Sequence, residues 1–405
     1  MSASIPLSRP NVGDLEIQYV TDVLRSGMLS LGPRVPEFEN RFASYVGRKH
    51  AVAVNSGTSA LHLCIRAMGI GPEDEVITSS FSFVASTNCI LYEGGVPVFL
   101  DIDPESFNLS AEQVQHFLSE RCARNSEGHC VNKDTGRRVK AILPVHVFGM
   151  PCDMDLMRRL AQKYGLFLIE DACEALGAEY RGRLAGTFGD AASFAFYPNK
   201  QMTTGEGGMI VTDDDSIAEV CRSMRNQGRN EKSEWLDHAR LGFNYRLSDI
   251  HAALGIAQLE RLEELLSQRQ FVAESYDKQL HGIPGLVTPK QMPGSQRSWF
   301  VYVVQLRSNA GSEVRDEVLR LLRASGIGCQ AYFPAIHRQP YMKGMYSCPF
   351  GRLTKTELAS DQCLAIPFFS TMTSAQVSAV CRALKQAIKA VSLHDVAVQV
   401  AGSRS

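Results

Sequence analysis

No stretch of this 405-residue chain approaches the roughly eighteen consecutive apolar residues that a membrane-spanning helix needs. The first ten residues, MSASIPLSRP, hold no apolar run of the kind a secretory signal requires. No sign of charge dominates, because 42 basic residues stand against 43 acidic ones. Basic tracts and basic–aromatic stripes are lacking too, so nucleic acid is not an expected partner. Cysteine is dilute, 11 in 405, and Cys64, Cys89, Cys173, Cys221 and Cys381 stand singly. That pattern excludes a disulfide scaffold and leads us to expect a reducing, cytoplasmic setting. Cys122 and Cys130 flank a polar insertion, but no histidine pair completes metal spacing, so no metal site is expected. Internal repeats and low-complexity tracts are absent. The length suffices to bury a large core and to split into two domains.

The informative residues lie in three runs. In SFAFYPNKQMTTGEGGMIV, a single lysine, Lys200, sits between an apolar strand and a glycine-rich turn. About thirty residues earlier, FLIEDACEALGAEY places Asp171 directly after an apolar strand. A lysine amine can hold pyridoxal phosphate as a Schiff base, and a carboxylate can keep a proton on the pyridine nitrogen. A lysine alone is far more often a solvated surface group. The third run, AVAVNSGTSALHLCIRAMG, reads as a buried strand, a turn at Asn55, Ser56 and Gly57, and a helix from near Thr58. The free N–H groups of that helix start, with the hydroxyls of Thr58 and Ser59, suit a phosphate. An ordinary capped helix would give the same local sequence; the combination of three runs is what points to the cofactor.

Apolar runs at 51–54, 75–78, 97–100, 140–145, 166–170, 193–196 and 208–212 predict strands, several apolar throughout as in strands covered on both faces. Helical patterns alternate with them, one from Ser110 with Gln113 as a capping box. This order predicts an α/β fold with a mostly parallel seven-stranded sheet, ligands lying beyond the carboxyl ends of the strands. We expect a large cofactor-binding domain over 1–250. A linking helix within 248–280 and a smaller C-terminal α+β domain would fill 251–390, followed by a loosely held tail over 391–405. The run WFVYVVQL (299–306) predicts a strand with one exposed face.

Together these stretches resemble one family closely. NSGTSALHL (55–63), SSFSFVAS (79–86), PVHVFG (144–149), LIEDACEALGAEYRG (168–182), FGDAASFAFYPNK (188–200), TTGEGGMIVTDD (203–214), RNQG (225–228) and GFNYRLSDIHAALG (242–255) are similar to the motifs of the DegT/DnrJ/EryC1/StrS aminotransferases. The resemblance covers about residues 8–388. It implies the fold type I of pyridoxal-phosphate-dependent transferases, that of aspartate aminotransferase. It also implies amino transfer from glutamate to a nucleotide-linked ketosugar, with Lys200 as the Schiff-base lysine and Asp171 at the pyridine nitrogen. Phe83 would stack on the cofactor ring, and Thr58 and Ser59 would bind its phosphate. Asn244 would reach the phosphate of a neighbouring subunit, which implies a homodimer with shared sites. Histidine replaces the lysine in the sugar dehydratases of the family, so Lys200 places the chain among the aminotransferases.

Two positions depart from the common pattern. Ala195 stands where many relatives carry a phosphate-binding serine. Glu174 stands where many carry a glutamine that donates to the cofactor's phenolate oxygen; an ionised carboxylate cannot donate, so Glu174 is either protonated or turned to another partner. Three further residues are candidate substrate contacts: Arg246 for a carboxylate, His146 at the end of a strand, and His337 in YFPAIHRQPY near Tyr332 and Tyr341. Each has a structural alternative, as a surface ion pair or a satisfied buried ring. Two other functions fit the cofactor runs less completely: a decarboxylase or lyase on the same cofactor, and a non-catalytic interaction protein, which would not need the Lys200–Asp171 pair.

Overall fold

Valine, isoleucine and alanine dominate seven short segments, and all seven are strands of one sheet in a computed structural model of the protein. The structure describes residues 4–230, 237–307 and 311–402, with side chains described through residue 391. The strands are β1 (His50–Val54), β2 (Asp74–Ser79), β3 (Val96–Leu100), β4 (Arg138–Ile142), β5 (Phe167–Asp171), β6 (Ala191–Ala195) and β7 (Gly208–Thr212). Their order is β1-β7-β6-β5-β4-β2-β3. Only β7 runs against its neighbours; the pairs β6–β5, β5–β4, β4–β2 and β2–β3 are parallel. The sheet is wider than the sequence predicts. A hairpin, Cys122–Arg124 with Cys130–Asn132, pairs with the first residue of β4 (Val131 opposite Arg138) and makes nine strands in all. Its loop residues are polar, so no apolar alternation marks it. Buried Glu75 anchors it instead, accepting hydrogen bonds from Asn132 and Thr135, each at 2.8 Å.

Helices cover both faces: α1 (Asp14–Ser26), α2 (Arg34–Val46), α3 (Gly57–Ala67), α4 (Ala85–Tyr92), α5 (Ala111–Glu120), α6 (Met154–Tyr164) and α7 (Asp215–Arg225). Ser110 caps α5 through the Gln113 N–H at 3.3 Å, but the expected reciprocal bond is missing. The Gln113 side chain accepts from Asp101 N–H instead, at 3.2 Å. The helical run at 248–280 is two helices, α8 (Asp249–Glu260) and α9 (Leu262–Leu280). At the junction Arg261 leaves helical geometry, and its guanidinium pairs with buried Glu16 of α1 at 2.9 and 3.1 Å.

A second, antiparallel sheet follows, in the order β8-β9-β11-β10, from β8 (Leu286–Val287), β9 (Tyr302–Leu306), β10 (Gln330–Ala331) and β11 (Cys363–Ile366). With α10 (Glu313–Ala324), α11 (Thr354–Gln362) and α12 (Ser374–Gly402) it forms the smaller α+β unit. The expected exposed face of the 299–306 strand does not exist. Tyr302, Val304 and Leu306 pack on α10 and α12, while Val301 and Val303 belong to the core of the large sheet. Apolar residues on both faces of this strand fit a segment squeezed between two layers. Part of the expected tail is helical backbone through Gly402; residues 403–405 lie outside the described residues. Among the described residues no helix is long and apolar enough to cross a membrane.

Candidate active site

The register of the sheet decides what meets at its carboxyl edge. Ser193 of β6 pairs with Asp171 of β5, so Asp171 ends its strand beside the exit of β6. The turn after β6 brings Lys200 back over that edge. Next to it β1 runs through Asn55 into α3, whose N-cap is Ser56. Ser56 Oγ accepts from Ser59 N–H at 3.1 Å. The fit between α3 and β6 is close. A Cβ on Gly57 would lie 2.6 Å from Ala195 Cβ and 3.0 Å from Cys173 Sγ, and one on Gly208 would lie 2.4 Å from the Ser56 carbonyl oxygen. Glycine at these two places lets the helix start sit against the strand ends.

Thr58, Phe83, Asp171, Glu174 and Lys200 line one cavity of about 440 Å³, a size ordinary for a cofactor or ligand site. Asp171 is 5% exposed and accepts the Cys173 N–H at 3.1 Å. Burial pushes its carboxyl above the usual range, against the pull of Cys173 and the Lys200 charge. Glu174 accepts the Phe148 N–H at 2.8 Å with one oxygen and stands 3.5 Å from Lys200 Nζ with the other. Its carboxyl is also pushed up by burial, opposed by Lys200 and the Phe148 N–H. Nζ of Lys200 rests 4.0 Å from the centroid of the Phe300 ring, within cation–π range.

The other candidates are placed differently. Ser59 is buried and does not line the cavity; its hydroxyl donates to Asn55 at 2.7 Å, which completes the helix cap. The expectation for His146 is corrected: it is fully buried, with Nδ1 accepting from Cys152 N–H and Nε2 facing Glu170, each at 3.1 Å. Both nitrogens have partners, and the residue does not line the cavity. His337 does not line the cavity either. Its Nδ1 meets the hydroxyl of buried Ser80 at 2.7 Å, its backbone N–H donates to that oxygen at 2.9 Å, and its Nε2 faces Glu357 at 3.6 Å, so the ring braces two loops. Arg246 lies outside this cavity, donating to Asn226 at 2.9 Å and Gln227 at 2.6 Å. Asn244 is exposed, also outside it.

Several lining residues escaped the sequence reading. Phe333 closes one wall beside Tyr332, which the sequence had marked only with His337, and Glu206, from the GEGG turn, faces the cavity as an exposed carboxylate. Asn199 also lines it, and its buried Oδ1 has no partner among the described residues. Only the neighbourhood of Lys200 in sequence marked Asn199 and Glu206. Nothing local marked Phe300, which comes from the bend just before β9, a hundred residues on. A second cavity, about 510 Å³, lies between the turn at Pro104–Phe107 and β9. It holds none of the candidate groups, so volume alone does not locate the chemistry. No cluster of three metal-ligating side chains occurs among the described residues.

Comparison with known proteins agrees with this geometry. A family described as the DegT/DnrJ/EryC1/StrS aminotransferases matches residues 10–385. The GDP-perosamine synthase of Caulobacter vibrioides is 38% identical over 392 residues, covering 95% of this chain and 98% of that protein. The spore coat polysaccharide biosynthesis protein SpsC of Bacillus subtilis is 35% identical over 396 residues, covering 95% and 97%. The solved structure of S. venezuelae DesV superposes with a TM-score of 0.83 at 33% identity, covering 95% of this chain and 98% of that one.

Proposed function

The chain belongs to the DegT/DnrJ/EryC1/StrS aminotransferase family, and from that premise we propose that it moves an amino group from L-glutamate to a ketosugar carried on a nucleotide. The class of enzyme is not in doubt: this is a pyridoxal-phosphate-dependent aminotransferase with the fold of that family. The donor and the sugar, a 4-keto-6-deoxy or 3-keto hexose, are the proposal. The donor rests on the family resemblance alone; a sugar on a nucleotide is supported by the names of two relatives, one a GDP-perosamine synthase and one a polysaccharide biosynthesis protein.

The residues of the cavity fit the cofactor. An amine, a buried carboxylate and a helix N-terminus surround one space, and Asn199 Oδ1 is a buried acceptor still unpaired there. Pyridoxal phosphate, when bound, supplies an aldehyde that exchanges amines and a ring that takes up electron density. Lys200 would hold the aldehyde carbon. When not bound to the cofactor, Lys200 Nζ would be the base that takes a proton from the donor's Cα in the first half-reaction and, in the second, would deliver a proton to the sugar carbon. Asp171 would keep a proton on the pyridine nitrogen, and the buried setting that raises its own pKa strengthens that bond. The first N–H groups of α3 and the Thr58 hydroxyl would take the phosphate, replacing the hydroxyl that Ala195 lacks. Phe83, 61% exposed at the cavity mouth, offers its ring as one face of the slot.

Asn244 would complete the phosphate site of a second copy. Its exposure outside the cavity of its own chain supports that reading, as do exposed Met28, Leu31 and Leu241 as apolar surface for a homodimer. The observation that carries the proposal is the meeting of Lys200, Asp171 and the α3 N-terminus at one cavity. The test is a half-reaction without sugar: L-glutamate should yield 2-oxoglutarate and the aminated cofactor. Release of carbon dioxide instead would assign the chain to the decarboxylases.

A further inference from the structure

Arg269 is a buried cation that the chemistry above does not use. It sits on α9, is 4% exposed, and has no carboxylate partner among the described residues. Burial pulls its pKa down to about 10, still well above neutral, so the guanidinium remains charged in the core. A buried unpaired cation destabilises a fold unless neutral groups solvate it. Here four backbone carbonyls do so, and they come in two pairs. One terminal nitrogen donates to Trp299 at 3.4 Å and Phe300 at 3.2 Å. The other donates to Asn199 at 3.4 Å and Lys200 at 2.5 Å. Nε is left without a partner.

The two pairs are the two supports of the Lys200 side chain. The Asn199–Lys200 carbonyls belong to the turn from which the lysine projects. The Trp299–Phe300 carbonyls belong to the segment whose Phe300 ring lies 4.0 Å from Nζ. We propose that Arg269 is the positioning residue for Lys200: its planar fork locks the backbone of the lysine turn and the Phe300 platform into one unit. Only a guanidinium spans both pairs, since an ammonium is a point donor without the fixed fork. The need follows from the two tasks of Lys200. Its amine must meet one carbon as an anchor and a neighbouring carbon as a proton carrier, with one side-chain length and one backbone origin. A shift of about 1 Å in that origin can cost on the order of 100-fold in rate.

The inference rests on the assignment of Lys200 made above, and the test separates the two. R269K keeps the charge and loses the fork. In the cofactor-loaded R269K enzyme we expect kcat to fall about tenfold or more, with the KM for L-glutamate within about twofold of wild type. In the cofactor-free protein we expect faster amide exchange confined to residues 197–204 and 297–302. A bare loss of stability would raise exchange throughout α9, α10 and α12 instead, and that pattern would overturn the proposal, as would an unchanged kcat. Should R269K not fold, R269Q decides by the same two measurements. The exchange readout needs neither cofactor nor substrate, so it stands even if another lysine proves to carry the cofactor.

Discussion

Nζ of Lys200 lies 3.5 Å from Oε1 of Glu174. The other oxygen of Glu174 is taken by the Phe148 N–H. In the cofactor-free cavity the ion pair satisfies both groups. With Lys200 on the cofactor, the carboxyl would lose that cation and be pushed further up, and in its protonated form Glu174 would be the group that donates to the phenolate oxygen. E174Q should therefore bind cofactor about as well as wild type and remove one pH-dependent transition from the absorbance of the bound cofactor. An identical titration in both proteins would show that Glu174 does not face the ring.

Asp171 carries a stability cost that bound cofactor should offset. A carboxyl whose native pKa is raised binds more protons folded than unfolded between the ordinary value, about 4, and the raised one. Stability then falls as pH rises through that window, and the contribution is fully present only below about 4. In the cofactor-free state, D171N should gain melting temperature over wild type, and the gain should grow as pH rises from about 4. A gain independent of pH would show that Asp171 does not titrate as argued.

The same substitution should damage turnover far more than binding. An amide can hydrogen-bond a pyridine nitrogen but cannot hold a charge on it. Removing one preorganised charge of this kind costs about 100-fold or more in kcat. Half-reaction kinetics with L-glutamate at saturating cofactor measure it, and near-normal rates would remove Asp171 from the mechanism.

The order of the fold was legible because each strand of the large sheet is a short apolar run, and because Asp171 and Lys200 lie at strand ends that parallel register brings together. The hairpin at 122–132 was not legible, since its strands are polar and are held by buried Glu75 from another strand. The second buried face of β9 was hidden for a related reason: Val301 and Val303 do not announce which layer covers them. At the site, Thr58 and Ser59 look equivalent in sequence, yet helix geometry turns one to the cavity and the other to Asn55. The placement of His146 and His337 away from the cavity was hidden because a histidine at a strand end or in a proline-rich loop gives no sign of its partners, here Glu170 and Cys152 for one ring and Ser80 and Glu357 for the other. Phe300 and Arg269 act through contacts about 70 to 100 residues away, beyond any local pattern.

Shared sites make a prediction that one chain alone cannot satisfy. Lys200→Ala and Asn244→Asp should each be inactive, yet a mixture allowed to exchange subunits should regain part of the wild-type activity. Each mixed dimer would hold one site with both lesions and one with neither. Absence of recovery despite proven exchange would mean that each chain builds its site alone.

The central claim is that Lys200 holds the cofactor, and one measurement tests it most directly. The cofactor-loaded protein is reduced with borohydride, digested, and its pyridoxyl label located by mass. The label should fall on Lys200, and K200A should lose both the label and both half-reactions while keeping its fold. A label on any other lysine would contradict the account.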